Sequence, residues 1–174
     1  MRYFIGVPVE IDLKKYKDLF KAKNIAIKDI AINQHNHITM HFYGKLTELN
    51  QKKLIEDLSA FNFPIFKIKL NKVSYFKTKG LINVVYLGVD DEKIDELYQA
   101  IKKCLKFKDD RLFIPHITLC RNKSIMNNEF IIKQIEKIKI DEEVEVRSVV
   151  LYNSKLSKEG TIHEKVFVKY FLDK

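Results

Sequence analysis

The stretch His37-Ile38-Thr39-Met40-His41-Phe42-Tyr43-Gly44, HITMHFYG, decides how the rest of this chain is read. Its polar and apolar residues alternate, and its β-branched and aromatic content predicts a strand over 37–43. A second stretch, His116-Ile117-Thr118-Leu119-Cys120-Arg121, repeats the His-Ile-Thr-apolar core 79 residues later, within a strand predicted at 114–121. Pro115 holds Ile114 extended at its entry. On a strand, residues i and i+2 share a face, roughly 6.7 Å apart. His37 and Thr39 therefore point one way, as do His116 and Thr118. Ile38, Met40, Ile117 and Leu119 point into the opposite, apolar layer. Regular alternation also places His41 and Cys120 on the histidine face and Arg121 on the other. The internal repetition suggests two related lobes.

Working outward, a strand is predicted at 2–9 and a helix at 11–22, with Leu13, Tyr16 and Phe20 on one stripe. A further strand pattern falls near 25–32. Thr47 is placed to cap a helix running to 61, with Leu54, Ile55 and Leu58 facing inward. After Pro64 come strands at 65–75 and 82–88, joined as a hairpin by a turn at Lys79-Gly80. Asp90 and Asp91 open a helix to about 106 that carries Ile94, Leu97, Tyr98, Ile101 and Leu105 at helical spacing. A short helix at 127–137 precedes two last strands, 143–152 and 164–172, around a turn-rich Ser154–Gly160. Many strands are joined by short turns, which favours an α+β fold with antiparallel sheet. No Pro/Gly/Ser-rich linker divides the 174 residues, so one domain over 1–174 is expected.

Composition narrows the function class. Lys and Arg total 32 against 23 Asp and Glu, a formal charge of +9, which favours polyanionic partners such as RNA, DNA, nucleotides or acidic lipids. Lysines such as Lys102, Lys103, Lys106 and Lys108 read as solvated helix faces, with guidance of RNA by long-range attraction as the alternative. Arginines are few: Arg2, Arg111, Arg121 and Arg147. Two cysteines, Cys104 and Cys120, make neither a disulfide framework nor a metal knuckle. The opening MRYFIGVPVEID reads as a strand, not a signal peptide, and no apolar run reaches the roughly 18 residues of a membrane span. A cytoplasmic location and no membrane partner are expected.

Two imidazoles and two hydroxyls brought to one cleft suit cleavage of a phosphodiester. A neutral His takes a proton from water and a protonated one gives a proton to the departing ribose oxygen. The Thr hydroxyls donate to the non-bridging phosphate oxygens as their charge grows. A strained cyclic phosphate needs no metal to open this way, so no cofactor is expected. His37 and His41 also show an HxxxH spacing, but the stretch is a strand and Ile38 stands where a metalloprotease has Glu. His41 either touches phosphate or caps the rim. Arg121 either bends round to the phosphate or pairs with a carboxylate. Phe42, closing the first motif, is the aromatic best placed to line a cleft, whereas Tyr43, Tyr75 and Phe76 read as core. His35 reads as a loop residue without a role.

HITMHFYG and FIPHITLCR resemble the paired HxTx motifs of the 2H phosphoesterase superfamily, and within it the RNA 2′,3′-cyclic phosphodiesterases, also called 2′-5′ RNA ligases. RYFIGVPV resembles that family's first strand, VVYLGVDD its middle strand and SKLSKEGTIHEKV its C-terminal segment. The resemblance implies two pseudo-symmetric lobes, each an antiparallel β-sheet backed by helices, with the active cleft between them. It implies His37 as proton donor and His116 as proton acceptor. Thr39, Thr118, Arg121, His41, Phe42 and His163 would hold the substrate, an RNA or oligonucleotide with a 2′,3′-cyclic phosphate end, and the enzyme would act as a monomer. Three positions depart from the family pattern: His41 replaces Lys or Arg, Asn83 replaces Arg, and His163 replaces Tyr. A small cyclic nucleotide, an ADP-ribose cyclic phosphate or a 2′-5′ oligonucleotide is the alternative substrate. Non-catalytic RNA binding on the same scaffold is the alternative role.

Overall fold

The computed structural model describes residues 2–23, 36–121, 128–157 and 160–173. The strand pattern near 25–32 and His35 lie outside them. The elements are β1 (Arg2–Pro8), α1 (Leu13–Ala22), β2 (His37–Gly44), α2 (Glu48–Ser59), β3 (Phe66–Thr78) and β4 (Leu81–Val89). They continue as α3 (Glu92–Leu105), β5 (His116–Arg121), α4 (Asn128–Ile135), β6 (Lys139–Val146), β7 (Ser148–Ser157) and β8 (Gly160–Tyr170). Local chemistry sets several of these ends. Asp12 accepts from the amides of Lys14 and Lys15, Thr47 from that of Asn50, and Asp91 from that of Lys93, so each α-helix among α1–α3 starts on a side-chain cap. Lys79 and Gly80, with φ of 52° and 80°, form the two-residue turn between β3 and β4.

The described strands form one eight-stranded antiparallel sheet in the order β6-β3-β4-β5-β2-β1-β7-β8. Four strands lie on each side of the β5/β2 seam. That seam is joined, among the described residues, through the single pair Ile38↔Ile117. One face of the sheet carries the main core. Ile5, Val7, Ile38, Met40, Leu87, Ile117 and Leu151 from the strands pack there with Tyr16, Phe20, Leu58, Ile94, Leu97, Ile101 and Ile135 from all four helices. Among the described residues, the other, more open face carries a smaller cluster of Phe4, Val150 and Tyr152, with Val168 against it. The fold is a two-layer α+β arrangement, and the open face is where side chains are available for chemistry. No helix among the described residues is long and apolar enough to cross a membrane.

The C-terminal third differs from the sequence expectation. In place of one strand at 143–152, the chain makes β6 and β7, divided at Arg147. The first half of β6 is acidic and basic rather than apolar, as befits an edge strand, and this masks its period. β7 is buried on both sides, Val149 and Leu151 toward the helices and Val150 and Tyr152 toward the open face, so it reads as an unbroken apolar run. Arg147 alone links β6 at one edge to β7 near the other, so the sheet must bend until its ends meet. Ile65 N–H donates to the Leu172 carbonyl across that closure, and Phe61, Phe63 and Phe171 fill it.

Candidate active site

The two HxT stretches meet at the centre of the sheet. β2 and β5 run antiparallel through Ile38↔Ile117, a register that sets His37 opposite Thr118 and Thr39 opposite His116. Both Ile side chains lie in the helix-side core, so all four polar residues project from the open face. His37 and His116 are then diagonal neighbours, which in such a pair lie about 7–8 Å apart with their Cβ atoms somewhat closer.

Each strand then bulges just after its HxT. On β2, Gly6 pairs with Thr39 but Ile5 pairs with His41, leaving Met40 as the extra residue. On β5, Tyr86 pairs with Thr118 but Val85 pairs with Cys120, leaving Leu119 extra. A bulge adds one residue and reverses the alternation beyond it. This corrects three expected orientations. His41 turns to the helix side, where its ring stacks on Phe107 at 3.9 Å and its Nδ1 lies 3.4 Å from Asp109 Oδ2. Burial depresses the pKa of that imidazole. Because His37 and His41 face opposite ways, they cannot share a metal ion.

Cys120 also lies in the helix-side core, 1% exposed, with burial pushing its thiol pKa up to about 12. It should not react with iodoacetamide or a disulfide reagent in the native protein at pH 8, as mass spectrometry would show; rapid modification would contradict its placement. Arg121 moves the other way, onto the face of His116, and its guanidinium is close enough to help lower that imidazole's pKa. Phe42 likewise turns to the open face, 52% exposed, and stacks on Phe4 at 5.1 Å.

His37 sits in a nest of rings. Phe4 lies 4.9 Å from it, Tyr152 5.5 Å, and His163 of β8 meets it edge-on at 5.2 Å. His163 also meets Phe4 edge-on at 5.0 Å. This packing depends on Gly6, a residue the sequence did not single out. A Cβ there would lie 3.2 Å from Tyr152 Cε2, 3.3 Å from Phe4 Cε2 and 3.4 Å from His37 Cδ2. The available signal was a glycine inside an apolar strand, FIGVPV, which marks a close approach.

His116 is held differently. Its Nδ1 lies 2.8 Å from the Ile114 carbonyl oxygen. A carbonyl only accepts, so Nδ1 carries the proton and the neutral ring presents Nε2 as a free base. Burial lowers its pKa below the usual histidine value of 6.5, the bond to Ile114 raises it in part, and Arg121 lowers it further. Phe76 meets the ring edge-on at 5.0 Å, Tyr86 stands 5.2 Å away, and the two aromatics stack on each other at 4.3 Å. Phe76, expected in the core, is a wall of the site. Asn83 is engaged elsewhere, its Nδ2 donating to Thr78 Oγ1 at 2.7 Å.

Comparison with known proteins gives a consistent picture. A family model described as the 2′-5′ RNA ligase superfamily matches residues 27–157. A Methanocaldococcus jannaschii protein named RNA 2′,3′-cyclic phosphodiesterase is 31% identical over 95% of this chain and 98% of its own length. A Thermotoga maritima protein of the same name is 28% identical over 96% of this chain and 94% of its own. Among solved structures, Escherichia coli LigT complexed with 3′-AMP superposes with a TM-score of 0.73 at 18% identity, covering 98% of this chain and 97% of that one. This last likeness concerns the fold.

Proposed function

Since the chain belongs to the 2′-5′ RNA ligase superfamily, we propose that it hydrolyses the 2′,3′-cyclic phosphate at an RNA end to a 2′-phosphomonoester. The observation that carries the reading is the pair of HxT stretches set side by side across β2 and β5 on the open face. In this reading the cleft runs along the β5/β2 seam, and the four strands on either side of it act as pseudo-symmetric lobes. His116 Nε2 removes a proton from water, whose oxygen attacks phosphorus. The bond from phosphorus to the 3′ oxygen breaks, and His37, protonated, supplies that oxygen's proton. Thr39 and Thr118 hydroxyls donate to the non-bridging oxygens, and Arg121 adds positive charge beside them.

The fixed tautomer and lowered pKa of His116 support its assignment as base. His37 takes the acid role. Phe42, stacked on Phe4 and half exposed, offers a ring for the terminal base, with His163 beside it. His41 acts at one remove, holding the loop that follows α3 through Phe107 and Asp109. A ribose 5′-hydroxyl in place of water would join two RNA ends through a 2′-5′ bond by the same proton transfers. The enzyme works in the cytoplasm as a monomer and without metal.

Incubation with an oligonucleotide bearing a 2′,3′-cyclic phosphate tests this. The expected product is a 2′-phosphate, formed equally well in EDTA. A 3′-phosphate, or no turnover, would refute the reading. The pH profile of kcat/KM should be a bell. Its acid limb reports protonation of His116, so it should centre below pH 6.5, because the folded protein disfavours that charge. The apparent values belong to the coupled pair. An acid limb centred above 6.5 would contradict His116 as the base.

A further inference from the structure

Opposite His116 on β5 stands Gly88 of β4, and opposite Gly88 stands Lys72 of β3. Directly opposed residues of antiparallel strands share a face, so the three form a row on the open side. Two features of the fold bring Lys72 there. The first is a bulge. Phe66, Ile68 and Leu70 alternate into the helix-side core, and regular continuation would send Lys72 after them. Instead Leu70 pairs with Val89 and Lys72 with Gly88, with Asn71 as the extra residue, and Val73 is the next buried side chain. The bulge re-aims Lys72 at the open face.

The second feature is the glycine. A Cβ at position 88 would stand 2.8 Å from both Cγ and Cε of Lys72 and 3.4 Å from its Cδ. The lysine stem therefore lies against the bare backbone of Gly88, the middle position of the row that ends at His116. Neighbouring strands are about 4.8 Å apart, so an extended lysine side chain is long enough to carry its ammonium toward the outer flank of His116. The reacting phosphate lies on the inner flank, between the two imidazoles.

We propose that Lys72 is a specificity-determining residue: its ammonium binds the phosphodiester of the nucleotide adjoining the cyclic end, so that the site selects RNA termini over cyclic mononucleotides. The inference rests on the phosphodiesterase reading above. A mobile point charge on a flexible stem suits a phosphate whose position varies with the RNA backbone. A mononucleotide has no such phosphate and draws nothing from it.

The test compares kcat/KM for an oligonucleotide ending in a 2′,3′-cyclic phosphate with kcat/KM for a mononucleoside 2′,3′-cyclic phosphate. The oligonucleotide-to-mononucleotide ratio should fall about tenfold in K72M, the scale of one hydrogen bond to a charged group. The salt dependence of the oligonucleotide reaction should also become shallower by about 0.7 in log–log slope. K72R should restore both. G88A keeps the charge but pushes the stem away, and should lower the same ratio. A ratio in active K72M within twofold of wild type overturns the role of Lys72 alone. Wild-type enzyme that opens neither substrate overturns the phosphodiesterase reading and this inference with it.

Discussion

Replacing His116 with Ala should lower kcat for opening a 2′,3′-cyclic phosphate by on the order of 10³-fold, the range of a positioned general base. The variant should stay folded, because His116 stands on the open face and not among the residues packed against the helices. Unchanged circular dichroism and thermal midpoint would confirm that. The acid limb of the pH profile should vanish with the imidazole, which a merely structural role would not produce. His37→Ala should cost as much and remove the basic limb instead. The double variant should be little worse than either single one, since the two rings act on one displacement and their losses are not additive. Turnover within tenfold of wild type in either single variant would break the assignment.

Gly6→Val should cost about 10²-fold in kcat, although residue 6 has no side chain and touches no substrate. A Cβ alone would already press on Tyr152, Phe4 and His37 at 3.2–3.4 Å, and the γ-methyls of Val would press further. Tyr152 and Phe4 are fully buried and stacked on each other at 4.9 Å, so neither has room to give. The His37 ring is the one that must shift. A displacement near 1 Å in a proton-transfer site costs on the order of 10²-fold. Overpacking should lower stability as well, by about 1–3 kcal/mol. Stability and steady-state kinetics of Gly6→Val measure both; wild-type kcat would show that the nest of rings does not set the position of His37.

Most of the fold follows from patterns a reader can see. Side-chain caps announce the starts of α2 and α3, Lys79-Gly80 announces the hairpin, and the five inward residues of α3 all lie in the core. The two HxT stretches fall on adjacent strands and face the same way, since period-two alternation holds over four residues. It fails at the fifth. The bulges at Met40 and Leu119 are invisible in sequence because neither carries a glycine or any turn residue, and they exchange the faces of His41 with Phe42 and of Cys120 with Arg121. The same blindness hid Lys72, which sits two residues beyond a core leucine with only Asn71 between them to mark the bulge. Gly6 and Gly88 were legible as interruptions of apolar strands, but what each makes room for depends on rings of the distant His37 and Tyr152 in one case and on a lysine across a bulge in the other. The division at Arg147 escaped notice because a charged edge strand runs directly into a fully apolar one.

A crystal structure of the wild-type protein with a bound nucleoside 2′-phosphate measures directly whether one phosphate is gripped from both sides by imidazoles of two distant segments. The expected result is a single phosphate with oxygens within about 3.2 Å of Nε2 of both His37 and His116, and with Thr39 and Thr118 hydroxyls donating to it. A phosphate held by one ring while the other stays turned away, or bound on the helix side of the sheet, would contradict it.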